Sequence, residues 1–189
     1  MINRLVEGNA NFRRDVDGAM LARAGKGQTP SVAILSCSDS RVIPELIFGF
    51  PMGDAFVVRV AGNSCSDPAV LGSLEYAVDH LHVRAIIVLG HTNCGAVAAA
   101  LAGVRPENLS GVMRDIERAM AMIGSGHPAD GDAIAESNVR LQLRSIKDKS
   151  PAIMTAVSEG KLTLIGALYD VAVGTVSILN GTHGRGTVR

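Results

Sequence analysis

Two short apolar runs, each ending abruptly in metal-capable side chains, constrain what this chain can fold into more than any other feature. Val32, Ala33, Ile34 and Leu35 form an unbroken apolar stretch, the pattern of a strand buried on both faces of a parallel sheet. Cys37, Asp39 and Arg41 follow within five residues, where such a strand gives way to a loop. Ala85 to Leu89 repeats the design, with Gly90, His91 and Cys94 at its carboxyl end. In open α/β sheets, ligand sites lie outside the carboxyl ends of strands, where strand order reverses. Two thiols and one imidazole delivered there make a three-ligand metal site.

The remainder of the chain is compatible with that arrangement. Its 189 residues suit one domain with a sizeable core. Eighteen Lys and Arg balance 18 Asp and Glu, so no net field favours nucleic acid or an anionic membrane. No apolar run approaches the roughly 18 residues of a membrane span. The start, M-I-N-R-L-V-E-G-N-A, is amphipathic and soon charged, unlike an export signal. Three Cys, an odd number, then argue for metal binding or chemistry over a disulfide framework, and the cytoplasm is the expected location.

In chain order, residues 1 to about 24 read as a helical arm, with Leu5, Ala10 and Phe12 on its apolar face. Pro44 opens a short helical turn, and Ala55 to Val60 is a second strand. A tight turn follows, with Gly62 or Asn63 at positive φ. Asp67 and Pro68 are an N-cap and first helical residue; the helix runs to about His80 with Val70, Leu71, Leu74, Ala77 and Val78 inward. A helix over 95–102 starts directly after Cys94. Helices are expected over 112–123, 133–147 and 151–159, with a mobile loop over 125–132. Strands over 161–169 and 173–179 read as a hairpin around Asp170 at the sheet edge. Strands alternating with helices give an α/β fold: a central, mainly parallel β-sheet flanked by helices, in a single domain over 1–189.

Zn²⁺ suits mixed thiolate and imidazole ligation, and three protein ligands leave one position open. Asp39, two residues from Cys37, is the candidate fourth ligand. If it binds, the site closes; if Arg41 holds the carboxylate away, water can occupy that position. Cys65 reads as a buried or semi-exposed thiol. His80, His82, His127 and His183 have no ligand spacing and read as helix-end or loop residues.

C-S-D-S-R-V, F-V-V-R-V-A-G-N, S-L-E-Y-A-V and G-H-T-N-C-G-A-V, in that order, resemble the β-class carbonic anhydrases. The similarity runs from L-V-E-G-N-A-N-F to L-Y-D-V-A-V-G. The resemblance implies one zinc per subunit on Cys37, His91 and Cys94, with Asp39 and Arg41 as the catalytic dyad. It implies a homodimer, in part of the family a tetramer, with an active-site cleft lined from both subunits. Gln28, Phe56 and Tyr76 match the positions that line the substrate pocket, and Val42 is expected beside Phe56 in its apolar wall. The implied reaction is reversible hydration of carbon dioxide to bicarbonate and a proton by a zinc-bound hydroxide. Two rivals stand beside it: a carbonyl sulfide or carbon disulfide hydrolase of the same fold, and a non-catalytic zinc-stabilised module. The chain departs from the family at Val60, where Asn is frequent. It also has Ile34 and Ser36 where members with an inhibitory bicarbonate site carry tryptophan and glycine, although Arg59 of that site is present. Such regulation is therefore expected to be absent or weak.

Overall fold

The computed structural model describes residues 1–124, 130–179 and 185–187. Six strands form one sheet: β1 (Val32–Ser36), β2 (Ala55–Arg59), β3 (Ala85–His91), β4 (Thr163–Tyr169), β5 (Val176–Leu179) and β6 (Arg185–Thr187). Their spatial order is β2-β1-β3-β4-β5-β6; the first four are parallel, and β5 and β6 are added antiparallel. The path from β1 to β2 moves one way across the sheet and the return to β3 goes the other. The order therefore reverses between β1 and β3, the two strands that carry the thiol and imidazole clusters.

Alternation along the strands divides the core. Ala33, Leu35, Ile86 and Val88 face the layer of α4 (Pro68–Asp79), α5 (Gly95–Leu101), α6 (Ser110–Ile123), α7 (Gly131–Lys149) and α8 (Pro151–Ser158). Val32, Ile34 and Leu89 point to the other face, under α3 (Pro44–Phe48) and the Phe50 turn. Helix α7 lies against β3 and β4 because glycines face it. A Cβ at Gly90 would lie 2.6 Å from Val139 Cγ2, and one at Gly166 would lie 3.0 Å from Leu143 Cδ1.

The elements follow local rules. Asp67 accepts the Ala69 N–H at 2.7 Å with Pro68 at the first helical position, the expected cap. Gly62 and Asn63 both take positive φ, at 63° and 45°. Asp170 organises the β4–β5 hairpin, accepting the Ala172 N–H at 2.8 Å through Oδ1. That hairpin is not the sheet edge, because β6 pairs beyond it. The N-terminal arm is two helices, α1 (Ile2–Asp15) and α2 (Gly18–Ala24). The break comes at Asp17, which leaves the helical conformation and caps α2 by accepting the Ala19 N–H. Of the loop expected over 125–132, residues 125–129 lie outside the described residues, as do His127 and His183.

A buried polar network ties the turn after β2 to the helical layer. Asn138 donates to the Gly62 carbonyl at 2.8 Å, and Gln142 donates to Asn138 Oδ1 at 2.9 Å and to Asp115 at 3.2 Å. Gln142 Oε1 accepts the Cys65 N–H at 2.9 Å, and Ser64 donates to Asp115 at 2.6 Å. Cys65 itself is 1% exposed, and burial pushes its thiol up to about 11 from 9.0.

Two outcomes are expected. Gly90→Ala forces Cβ into Val139 and lowers stability by about 1–3 kcal/mol, read from the urea midpoint. The Cys65 thiol is lost at lower pH in the unfolded chain than in the folded one. Its contribution is therefore intact below about pH 9 and falls away between about 9 and about 11, by up to about 3 kcal/mol. Urea titrations across that window are steeper in pH for the wild type than for Cys65→Ala; equal slopes contradict this.

Candidate metal centre

Each ligand candidate sits where its strand stops. Cys37 is the residue after β1, His91 is the last of β3, and Cys94 is the residue before α5. The register sets Ser36 level with Leu89, so both strands deliver their clusters at one height. All three side chains are buried, and their donor atoms lie within 4.8 Å of one another.

The donors suit a thiophilic divalent cation. His91 Nδ1 lies 2.9 Å from the Thr92 carbonyl, which can only accept, so Nδ1 carries the proton and Nε2 keeps its lone pair. Nε2 is buried without a hydrogen-bond partner. The other buried side-chain polar atoms in that condition among the described residues are Ser36 Oγ and Asn63 Nδ2. All three lie at, or just past, the carboxyl ends of β3, β1 and β2. Contact with Cys94, helped by the neighbouring His91 imidazole and by the Asp39 and Gly62 amides, holds the Cys37 thiol well down against its burial. Cys94 moves up, through that same contact with Cys37 and through burial, although the Ala96 and Val97 amides oppose it. The pair thus releases one proton readily and retains the second, which a bound cation would displace. Burial works against a protonated His91, but the Cys37 sulfur outweighs it.

Asp39 is fastened away from the cluster. Its Oδ1 accepts the Arg41 backbone N–H at 3.0 Å and Nε at 2.9 Å, and Oδ2 accepts Nη2 at 2.7 Å. Oδ2 stands 3.9 Å from His91 Nε2. Arg41's hydrogen bonds hold the carboxyl well below the usual carboxylate range. Arg41 Nη2 also donates to the Asn93 carbonyl at 3.0 Å, in the turn between His91 and Cys94. Arg59, at the end of β2, donates to the Cys37 carbonyl at 3.2 Å and the Asp39 carbonyl at 2.7 Å. Its guanidinium therefore braces the loop that carries the first ligand. Neither this brace nor the part played by Asn93 is legible in the chain; the one sequence signal is an asparagine in T-N-C, a residue that tolerates the φ of 53° it takes here.

The expected pocket residues are distributed differently. Phe56 and Tyr76 pack with tilted rings whose centroids are 6.1 Å apart, and the His80 ring centroid is 5.0 Å from that of Tyr76. Phe56 is level with Ala33, four residues short of Cys37, which is about 13 Å along the strand. Gln28 is exposed in the loop before β1. Val42 requires a correction. It is completely buried with Ile34 and Leu89 on the other face of the sheet, so it packs the core and has no surface to offer a substrate.

A family model described as carbonic anhydrase matches residues 32–176. Carbonic anhydrase 2 of Mycobacterium tuberculosis H37Rv is 42% identical over 157 residues, 79% of this chain and 75% of that protein. The carbonic anhydrase of Mycolicibacterium smegmatis is 38% identical over 188 residues, covering 92% and 89%. Among solved structures, the β-carbonic anhydrase CcaA superposes with a TM-score of 0.86 at 27% identity, covering 100% of this chain and 92% of that one. The Coccomyxa β-carbonic anhydrase in complex with acetazolamide gives 0.85 at 29% identity, covering 95% and 86%. Matched in sequence over three quarters of its length and in fold over nearly all of it, with two sulfurs and a nitrogen converging where the strand order reverses, the chain belongs to the β-carbonic anhydrase family.

Proposed function

We propose that the protein catalyses the reversible hydration of carbon dioxide to bicarbonate and a proton, with one zinc ion per subunit. The observation that carries this is the pairing of a three-donor cluster with a carboxylate beside it that is tied back by arginine. A purely structural site is stabilised by a fourth ligand and gains nothing from holding one off.

Cys37 Sγ, His91 Nε2 and Cys94 Sγ would hold the ion. When bound, zinc supplies Lewis acidity, enough to bring the pKa of a water at its open position from about 15.7 towards about 7. Asp39 stays ionised near neutrality and can only accept, so it holds the proton of a hydroxyl and fixes that oxygen's lone pairs towards carbon. Arg41 neutralises Asp39 and, through Asn93, ties it to the turn bearing His91 and Cys94. Thiol ligands must remain reduced to bind, which favours the cytoplasm.

The same reading makes the protein a homodimer. Helix α1 buries none of its residues, while Ile2, Leu5, Val6 and Phe12 are 76%, 68%, 64% and 44% exposed along one stripe. A lone 14-residue helix is marginal in water, and this one needs an apolar surface to rest on. Gln28, Phe56 and Tyr76 stand away from their own cluster, so a second copy is the natural source of the residues that complete the cleft. Two dimers pairing into a tetramer would follow the crystal structures of two tetrameric β-carbonic anhydrases from Sordaria macrospora, one of which superposes with a TM-score of 0.77 at 26% identity.

Stopped-flow measurement of carbon dioxide hydration, on protein of measured zinc content, tests the assignment. Turnover with stoichiometric zinc supports it; faster turnover of carbonyl sulfide on the same sample moves the assignment to that substrate. Arg41→Ala retains zinc and loses turnover by about a hundredfold or more, because Asp39 is no longer held in place. Sedimentation of the wild type gives a dimer or larger, and Leu5→Glu with Phe12→Glu shifts it towards monomer with loss of activity.

A further inference from the structure

The turn between the second and third ligand candidates is held by a side chain that the mechanism above does not use. Asn93 takes a φ of 53°, the left-handed region, and is exposed. Its N–H donates to Asp132 Oδ1 at 3.0 Å, across 39 residues of chain. Its carbonyl accepts Arg41 Nη2 at 3.0 Å, and that same nitrogen donates to Asp39 Oδ2 at 2.7 Å. The neighbouring Thr92 is fixed separately, its N–H on the Tyr169 carbonyl and its Oγ1 accepting the Val171 N–H. Asp132 is thus the side chain that holds the Thr92–Asn93 peptide, and the carbonyl of the peptide that follows, Asn93's own, is the anchor for Arg41.

We propose that Asp132 is a positioning residue for the Asp39–Arg41 dyad, acting through the two peptides that meet at Asn93. Asp132 lies in the first turn of α7, whose cap is Asp130, so the frame of the helical layer is transmitted to the dyad through three hydrogen bonds. Remove the Asp132 acceptor and Asn93 loses the partner that favours its left-handed conformation. Rotation at the Asn93 α-carbon is then free to turn the carbonyl of the next peptide away, and Arg41 keeps Asp39 but loses its fixed point on the ligand turn. Asp39 can then drift towards the cluster. The proposal rests on the carbon dioxide hydration reading.

An alternative duty for Asp132 is to place negative charge at the start of a helix, which stabilises without touching the site. Asparagine separates the two, because Asp132→Asn keeps an acceptor oxygen and loses the charge. We expect zinc-loaded Asp132→Ala to keep one zinc per chain and lose about 10- to 100-fold in kcat/KM, with Asp132→Asn recovering most of that loss. In the Arg41→Ala background, Asp132→Ala should cost nothing further, since the two act in one chain of contacts. A crystal structure of Asp132→Ala should show Arg41 Nη2 parted from the Asn93 carbonyl and Asp39 displaced. An unmoved dyad, equal loss in the alanine and asparagine variants, or loss of zinc together with activity overturns the proposal. Wild-type protein that holds zinc but does not hydrate carbon dioxide overturns the functional reading instead, and the crystallographic comparison still reports on Asp132.

Discussion

The parallel pairing of β1 with β3 is the constraint on which the site depends. With Ser36 level with Leu89, Cys37 and His91 leave the sheet side by side, and Cys94 needs only one turn to join them. A slip of one residue would turn Cys37 from the helical layer to the opposite face, since successive side chains alternate. The register is protected by burial on both sides: Ala33, Ile34 and Leu35 are inaccessible in β1, and Ile86, Val88 and Leu89 in β3. The same hydrophobic packing that stabilises the fold therefore also sets the height of the donor atoms. Gly90 belongs to this arrangement, because α7 can pack beside the carboxyl end of β3 only where no Cβ intervenes.

Charge is managed locally. Two ionisable sulfurs and a carboxylate are gathered at one end of the sheet, and like charges at this range repel strongly in a buried setting. The chain answers with two arginines used differently. Arg41 meets the Asp39 carboxylate side on, through a two-pronged guanidinium contact that lysine could not reproduce. Arg59 takes the backbone carbonyls of Cys37 and Asp39 and contributes positive potential without competing for the carboxylate. Amides of Asp39 and Gly62 turned on Cys37, and of Ala96 and Val97 turned on Cys94, add partial positive charge where a thiolate forms. Gly62 is itself held by Asn138 in the buried polar network, so the helical layer reaches the first ligand as well as the third.

Much of this was legible in the chain because it is written in local rules. An apolar run bounded by Cys or His reports a buried strand end, and Asp-Pro reports a helix start whichever fold contains it. The hairpin at Asp170 and the positive φ at Gly62 and Asn63 are of the same kind. What stayed hidden depends on contacts between distant residues. Asp132 and Asn93 meet across 39 residues, and Arg59 and Cys37 across 22, with no periodicity or motif to announce either. The face that Val42 takes could not be told because a loop follows the strand and breaks its alternation. The break at Asp17 lay within a pattern that tolerates a continuous helix, and an unbroken arm was the simpler expectation.

The polypeptide supplies the donors, the carboxylate and its arginine, and it also carries two apolar surfaces that its own core leaves partly uncovered. Helix α1 has buried nothing, although its sequence carries four large apolar side chains on one stripe. The Phe56–Tyr76 ring pair, partly exposed, faces the helical layer some four strand residues from its own cluster. These are two unspent apolar surfaces, and the hydrophobic effect gives both the same direction, towards association. The homodimer proposed above would satisfy them together, since an isologous contact presents each surface twice. Water exclusion at the cleft would then be a property of the assembly, and catalysis would be lost on dissociation even in a subunit whose three donors remained in place.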